Sequence, residues 1–287
     1  MLKLLLHIID SSRNPDGGWG YAAGRASRLE PTALALAALA AAGRVADAGA
    51  LSGWPHRDGW LLDPRDGDTF NVGFNAQALL AASVSRPVAR GVSERVLPAL
   101  CASKGVQLPP SEFQQQDNAL QAWSWIPDTF SWVEPTAWSL LALKRWPGGG
   151  DRTAADGRIE EAERLLADRA CPDGGWNYGN ANVLGQQLYA YVPTTALALL
   201  ALADRPAHPA RASGLAWLVR EQVSERSALA LGLASLALSR YGEPVDEVHA
   251  ALEAQWHETR FLGAVHATAI AACALAGAAG PGGAFHV

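Results

Sequence analysis

Glu134 is the residue of this chain best suited to acid chemistry, because it stands among Trp123, Trp125, Phe130, Trp132 and Trp138. Aromatic rings stabilise cationic carbon, and an apolar neighbourhood raises the pKa of a carboxylic acid, so the group suits carbocation chemistry started by proton transfer. Asp117 and Asp128 flank the cluster as the next acids, and His266 opens a later apolar helix. Each has a plainer reading. Five aromatic residues also make an ordinary core, and Glu134, like Glu30, precedes a proline at a helix start, where a carboxylate complements the helix dipole. Asp117 and Asp128 suit solvated loops, and His266 suits a satisfied core position. Asp63, Asp66 and Asp68 form a group that Mg²⁺ on a diphosphate could use, but Asp63-Pro64 and Asp66-Gly67 are strong turn signals.

An internal repeat supplies the elements that must position these residues. Pro15-Asp16-Gly17-Gly18-Trp19-Gly20-Tyr21 returns as Pro172-Asp173-Gly174-Gly175-Trp176-Asn177-Tyr178, and a Thr-Ala-Leu-Ala-Leu run follows each block, at Thr32 and Thr195. Weaker copies bring apolar helix starts near 75, 136, 227 and 268. Helices such as Ala196-Leu197-Ala198-Leu199-Leu200 are apolar all round and are predicted to be buried on every side. Between them lie amphipathic segments, in which Ile159, Ala162 and Leu166 share a face while Glu160, Glu161 and Glu163 point away. The reading is all-α: six inner and six outer helices in an (α/α)6 barrel, a toroid of six helical hairpins in one domain over residues 1–287. A half-to-half loop is expected at 147–156. The long connection from Asn177 to Tyr191 has the length of a lid or binding loop, and it brings Tyr189 and Tyr191 in as ligand contacts beside Trp19 and Trp176.

Composition narrows the function classes. Acidic and basic residues are interspersed at a net charge of −5, which argues against nucleic acid as a partner. Cys101, Cys171 and Cys273 lie far apart without metal-ligand spacing, as expected of a reduced, cytoplasmic protein. The apolar stretch Met1 to Ile9 is too short for a signal peptide, and the alanine-rich runs are too short to span a membrane.

The Pro-Asp-Gly-Gly-Trp turn leading into Thr-Ala-Leu-Ala-Leu resembles the prenyltransferase and squalene oxidase repeat, shared by protein prenyltransferase β subunits and class II terpene cyclases, over nearly the whole chain. In the fuller cyclase form of the repeat, Gly17, Trp19, Gly174 and Trp176 match, while Arg13 and Ala170 stand at the glutamine positions. The resemblance implies an isoprenoid-like hydrophobic ligand. Cyclases of this kind protonate an alkene or epoxide from an Asp-x-Asp-Asp-Thr-Ala motif; alignment on Thr136-Ala137 puts Glu134 at the acid, with Trp132 and Pro135 in place of the flanking aspartates. Prenyltransferases hold Zn²⁺ with Asp-x-Cys and a later His. His266 stands in register with that His, but Glu225-Arg226-Ser227 replaces the Asp-x-Cys, and serine is a poor zinc ligand. No bound metal or cofactor is therefore expected. The expectation is an isoprenoid cyclase-like or prenyltransferase-like enzyme with a small hydrophobic partner, compatible with peripheral membrane contact. The alternatives are a non-catalytic binding or scaffold protein of the same fold, or an (α/α)6 enzyme acting on another substrate.

Overall fold

The computed structural model describes residues 1–63, 67, 69–85, 89–110, 115–146 and 152–287. The protein is mainly helical. Six helices are buried nearly throughout: α2 (Leu29–Ala41), α4 (Val72–Val84), α6 (Val133–Arg145), α8 (Val192–Ala201), α10 (Ala228–Tyr241) and α12 (Val265–Leu275). Each packs on the next in that order, and α12 packs on α2. Their small side chains explain the close approach; a Cβ on Gly232 of α10 would lie 2.7 Å from Ile270 of α12.

A second set lies outside them. Helix α1 (Leu2–Ser11) packs on α12, α5 (Arg90–Ala102) on α4, α7 (Thr153–Asp168) on α6, α9 (Arg211–Glu221) on α8 and α11 (Asp246–Thr259) on α10. The sixth outer position departs from expectation. Among the described residues it holds only the four-residue α3 (Gly49–Ser52), followed by a hairpin of β1 (His56–Arg57) and β2 (Trp60–Leu61), in which Asp58 and Gly59 take the positive φ of a tight two-residue turn. The expected loop at 147–156 is also shorter than predicted: Thr153 to Asp156 already belong to α7, and Pro147 to Gly150 lie outside the described residues. Helices α2, α6 and α8 begin three residues before the predicted threonines. Pro31, Pro135 and Pro193 are accommodated in their first turns, where a backbone N–H has no intrahelical acceptor.

The tryptophan of the repeat fastens outer helix to inner helix. Trp19, Trp123 and Trp176 are fully buried, and their Nε1 atoms donate to Ile9, Leu100 and Leu166 carbonyls of α1, α5 and α7. Their backbone N–H groups donate to Thr32, Thr136 and Thr195 Oγ1, each the fourth residue of an inner helix, and each hydroxyl donates back to the tryptophan carbonyl. In the second repeat Asn75 does the same work with its amide, bonding both the N–H and the carbonyl of Leu61. The glycine before the tryptophan has no room for a side chain: a Cβ would lie 2.7 Å from Ser27 Oγ at Gly18 and 2.7 Å from Thr195 Oγ1 at Gly175.

A second clasp joins neighbouring repeats. The residue two places after the tryptophan accepts the first N–H of the preceding inner helix: Trp125 from Val72, and Tyr178 from Val133, at 2.8 and 3.0 Å. At the opposite end of the inner helices the C-terminal segment crosses over. Arg145 donates to the Gly282 and Gly283 carbonyls, Arg240 donates to Val287, and the fully buried Phe285 meets Trp138 at 5.9 Å between ring centroids.

Candidate functional site at the N-terminal ends of the inner helices

The second residue of each inner helix is Glu30 on α2, Gly73 on α4, Glu134 on α6, Pro193 on α8, Leu229 on α10 and His266 on α12. Two carboxylates and an imidazole thus come from three repeats to one end of the bundle, and all three side chains are half-buried. The aromatic residues that follow the buried tryptophans interleave with them. Tyr21 donates its hydroxyl to Glu30 Oε2 at 2.7 Å, and its ring lies edge-on to His266 at 5.3 Å. Trp125 covers Gly73 so closely that a Cβ there would lie 2.5 Å from its ring. Tyr178, paired with Tyr191 at 5.2 Å, lies beside Glu134.

Burial, and then the charge of Glu30, push the Glu134 carboxyl up to about 7. Among the described residues no hydrogen bond or ion pair reaches Glu134, and the N-cap residues Arg28 and Trp132 make no side-chain cap to α2 or α6. Burial, followed by the charge and hydrogen bond of Glu30, raises the Tyr21 phenol, and burial followed by the Glu134 charge raises that of Tyr178. Glu30 is the hydrogen-bonded member of the pair, and Glu134 is the one able to carry a proton near neutrality.

One turn further along the same helix faces lie Leu34, Gln77, Trp138, Leu197, Leu233 and Ile270, all buried. Trp138 thus sits directly beyond Glu134 on α6. Gln77 is 2% exposed, and its Oε1 has no hydrogen-bond partner; the buried Nδ1 of His266 has none either. A groove of about 380 Å³ adjoins this end, lined by Tyr178, Tyr191, Pro193, Trp217, Glu225 and Ser227 among others.

The structure divides the residues singled out from sequence. Glu134, His266, Trp125 and Trp138 meet at this end or just inside it, and Tyr191 lines the adjoining groove. Trp19, Trp123 and Trp176 do not contribute open ring faces: their indoles are committed to the outer-to-inner clasp. Phe130 and Trp132 pack on each other at 4.3 Å beside the α6 start. Tyr189 is 81% exposed, after the hairpin of β3 (Asn182–Val183) and β4 (Gln186–Gln187). Asp117 and Asp128 are exposed in turns, away from the carboxylate pair; Asp117 accepts from Ala119 N–H, and Asp128 has φ 60°. Asp63 is buried and held by Arg28 and the Leu29 N–H, so it is a structural anchor and not a free metal ligand. Asp66 and Asp68 lie outside the described residues, and among the described residues no group of His, Cys, Asp and Glu is arranged to hold a metal. Sequence reasoning missed Tyr21, Tyr178 and Gln77. The signal for the first two was their place in the repeat, two residues after the tryptophan.

Among the described residues no helix is long and apolar enough to cross a membrane. No protein-family model matches the chain, and no match to it is found among curated proteins.

Proposed function

We propose that the chain is a closed (α/α)6 toroid of six helical hairpins and an isoprenoid cyclase-like enzyme whose acid is Glu134. The observation that carries this reading is the combination at Glu134: a carboxyl pushed up to about 7, without a hydrogen-bond or ion-pair partner among the described residues, with Trp138 next on the same helix face. In the proposed step the Glu134 O–H bond breaks, its proton goes to a terminal alkene carbon, and the alkene π pair forms the new C–H bond. A tertiary carbocation and the Glu134 carboxylate remain. A further alkene attacks the cation to close a ring, and loss of a proton from the cyclised cation restores the acid. A proton near neutrality is needed at the start and a negative charge afterwards, and a carboxyl of this pKa supplies both. Trp125 and Tyr178 stand where the cation forms.

The test is product analysis by gas chromatography and mass spectrometry after incubation with acyclic polyprenes and their terminal epoxides. Cyclised product from the native chain, lost in Glu134→Gln with fold and ligand binding retained, is expected. A chain that converts none of them while still binding them favours the non-catalytic reading, and unchanged turnover in Glu134→Gln removes the acid.

A further inference from the structure

The same end of the bundle has a binding chemistry that needs no turnover. Going around it from α12 to α6, the side chains alternate between aromatic and anionic or basic: His266, Tyr21, Glu30, Trp125, Glu134, Tyr178. The remaining two inner helices carry Pro193 and Leu229 at the same register position. The carboxylates of Glu30 and Glu134 and the three rings between and beside them thus gather on one arc.

The only guanidinium packed against this arc is Arg28, which lies 5.7 Å over the Tyr21 ring and is engaged by Asp63 at 2.7 Å among the described residues. Its charge is answered by Asp63, and among the described residues no ion pair reaches Glu30 or Glu134. The independent observation is Gln77. It is 2% exposed, it lies one turn inside Gly73 on the face that Trp125 covers, and its Oε1 is left without a donor. A buried acceptor without a donor is destabilising, and a ligand N–H supplies the missing donor.

We infer that this site binds a protonated amine carried on an apolar chain. The ammonium sits among Glu30, Glu134 and the Tyr21, Trp125 and Tyr178 rings, one N–H reaches Gln77 Oε1, and the chain runs into the groove lined by Tyr178, Tyr191, Pro193 and Trp217. The ionisable groups that face it are Glu30, Glu134, His266, Tyr21 and Tyr178. The inference rests on the geometry of the site and not on cyclisation: loss of polyprene turnover with amine binding intact sinks the cyclase reading alone, and the reverse result sinks this one alone.

The experiment measures binding of dodecylammonium, dodecan-1-ol and dodecyltrimethylammonium to the full chain by calorimetry at pH 8, each below its micelle-forming concentration. Dodecylammonium is expected to bind about tenfold or more tightly than the alcohol, and the preference should vanish in Glu30→Gln/Glu134→Gln. Gln77→Leu should weaken dodecylammonium and leave the trimethylammonium, which has no N–H, unchanged. Equal affinity for alcohol and ammonium, no measurable ammonium binding, or an unaltered preference in the double variant overturns the inference. Should the double variant fail to fold by circular dichroism, the comparison of alcohol with ammonium on the native chain decides.

Discussion

Tyr21, near one end of the chain, accepts the backbone N–H of Val265, near the other, at 2.9 Å. The bond is the same one that Trp125 makes to Val72 and Tyr178 to Val133, so the last inner helix is fastened to the first repeat by the device that fastens consecutive repeats. The contact between α12 and α2 is part of the repeat's own geometry.

Val265→Pro isolates this bond. Position 265 opens α12, where proline is tolerated, and Ala264 before it already has φ −74° and ψ 110°. The substitution should cost about 1 kcal/mol for the lost bond, plus any penalty for the orphaned Tyr21 carbonyl, read from the urea midpoint. An unchanged midpoint would mean that the ends are not joined in solution.

Thr195→Val removes the hydroxyl that accepts from Trp176 N–H at 2.9 Å and donates back to its carbonyl, while keeping the side-chain shape. Two buried backbone groups lose their partner. A loss of about 2–4 kcal/mol is expected, with Thr195→Ser much closer to the native chain; equal effects of Val and Ser would point to lost packing instead.

Phe285→Ala takes the fully buried ring away from Trp138. A cavity of this kind costs about 3–5 kcal/mol. Thermal unfolding should shift down accordingly, and tryptophan emission should change as the Trp138 surroundings do.

Glu134 makes stability depend on pH in a particular direction. Its carboxyl is raised from 4.5 to about 7 in the folded chain, so between these values the folded state holds a proton that the unfolded state has released. Stability therefore falls as pH rises from about 4.5 to about 7 and levels off above, by at most about 3 kcal/mol from this group. Glu134→Gln should remove that slope and be the more stable chain at pH 8. Denaturant melts of the two proteins across this range check it, and parallel profiles would show that the carboxyl titrates normally.

Glu30→Gln removes the charge that contributes to the Glu134 shift, the smaller of its two causes. The Glu134 titration, followed by ¹³C-carboxyl NMR, should move to lower pH but stay above the ordinary carboxylate range, because burial remains. No movement would mean that the two groups do not sense each other.

Two helix classes, their order and most of their extent were legible in the chain, because burial on all sides and burial on one side leave different hydrophobic periods. The repeated Pro-Asp-Gly-Gly-Trp block marked the turns for the same reason: only glycine fits beside Thr32 and Thr195. The reduced outer position at α3 was not legible, since a four-residue helix carries no period and the Asp58-Gly59 turn reads equally well as a loop. The aromatic residues near Glu134 were legible as a group but not by role. Trp123 and Trp125 are separated by one residue, and one is sealed under an outer-helix carbonyl while the other covers Gly73. Local sequence thus determined that Glu134, Glu30 and His266 would each open a buried helix. Only the tertiary packing of α12 on α2, with α4 between α2 and α6, decided that the three would share one end, because a side chain's charged neighbours are set by which helices touch and not by distance along the chain.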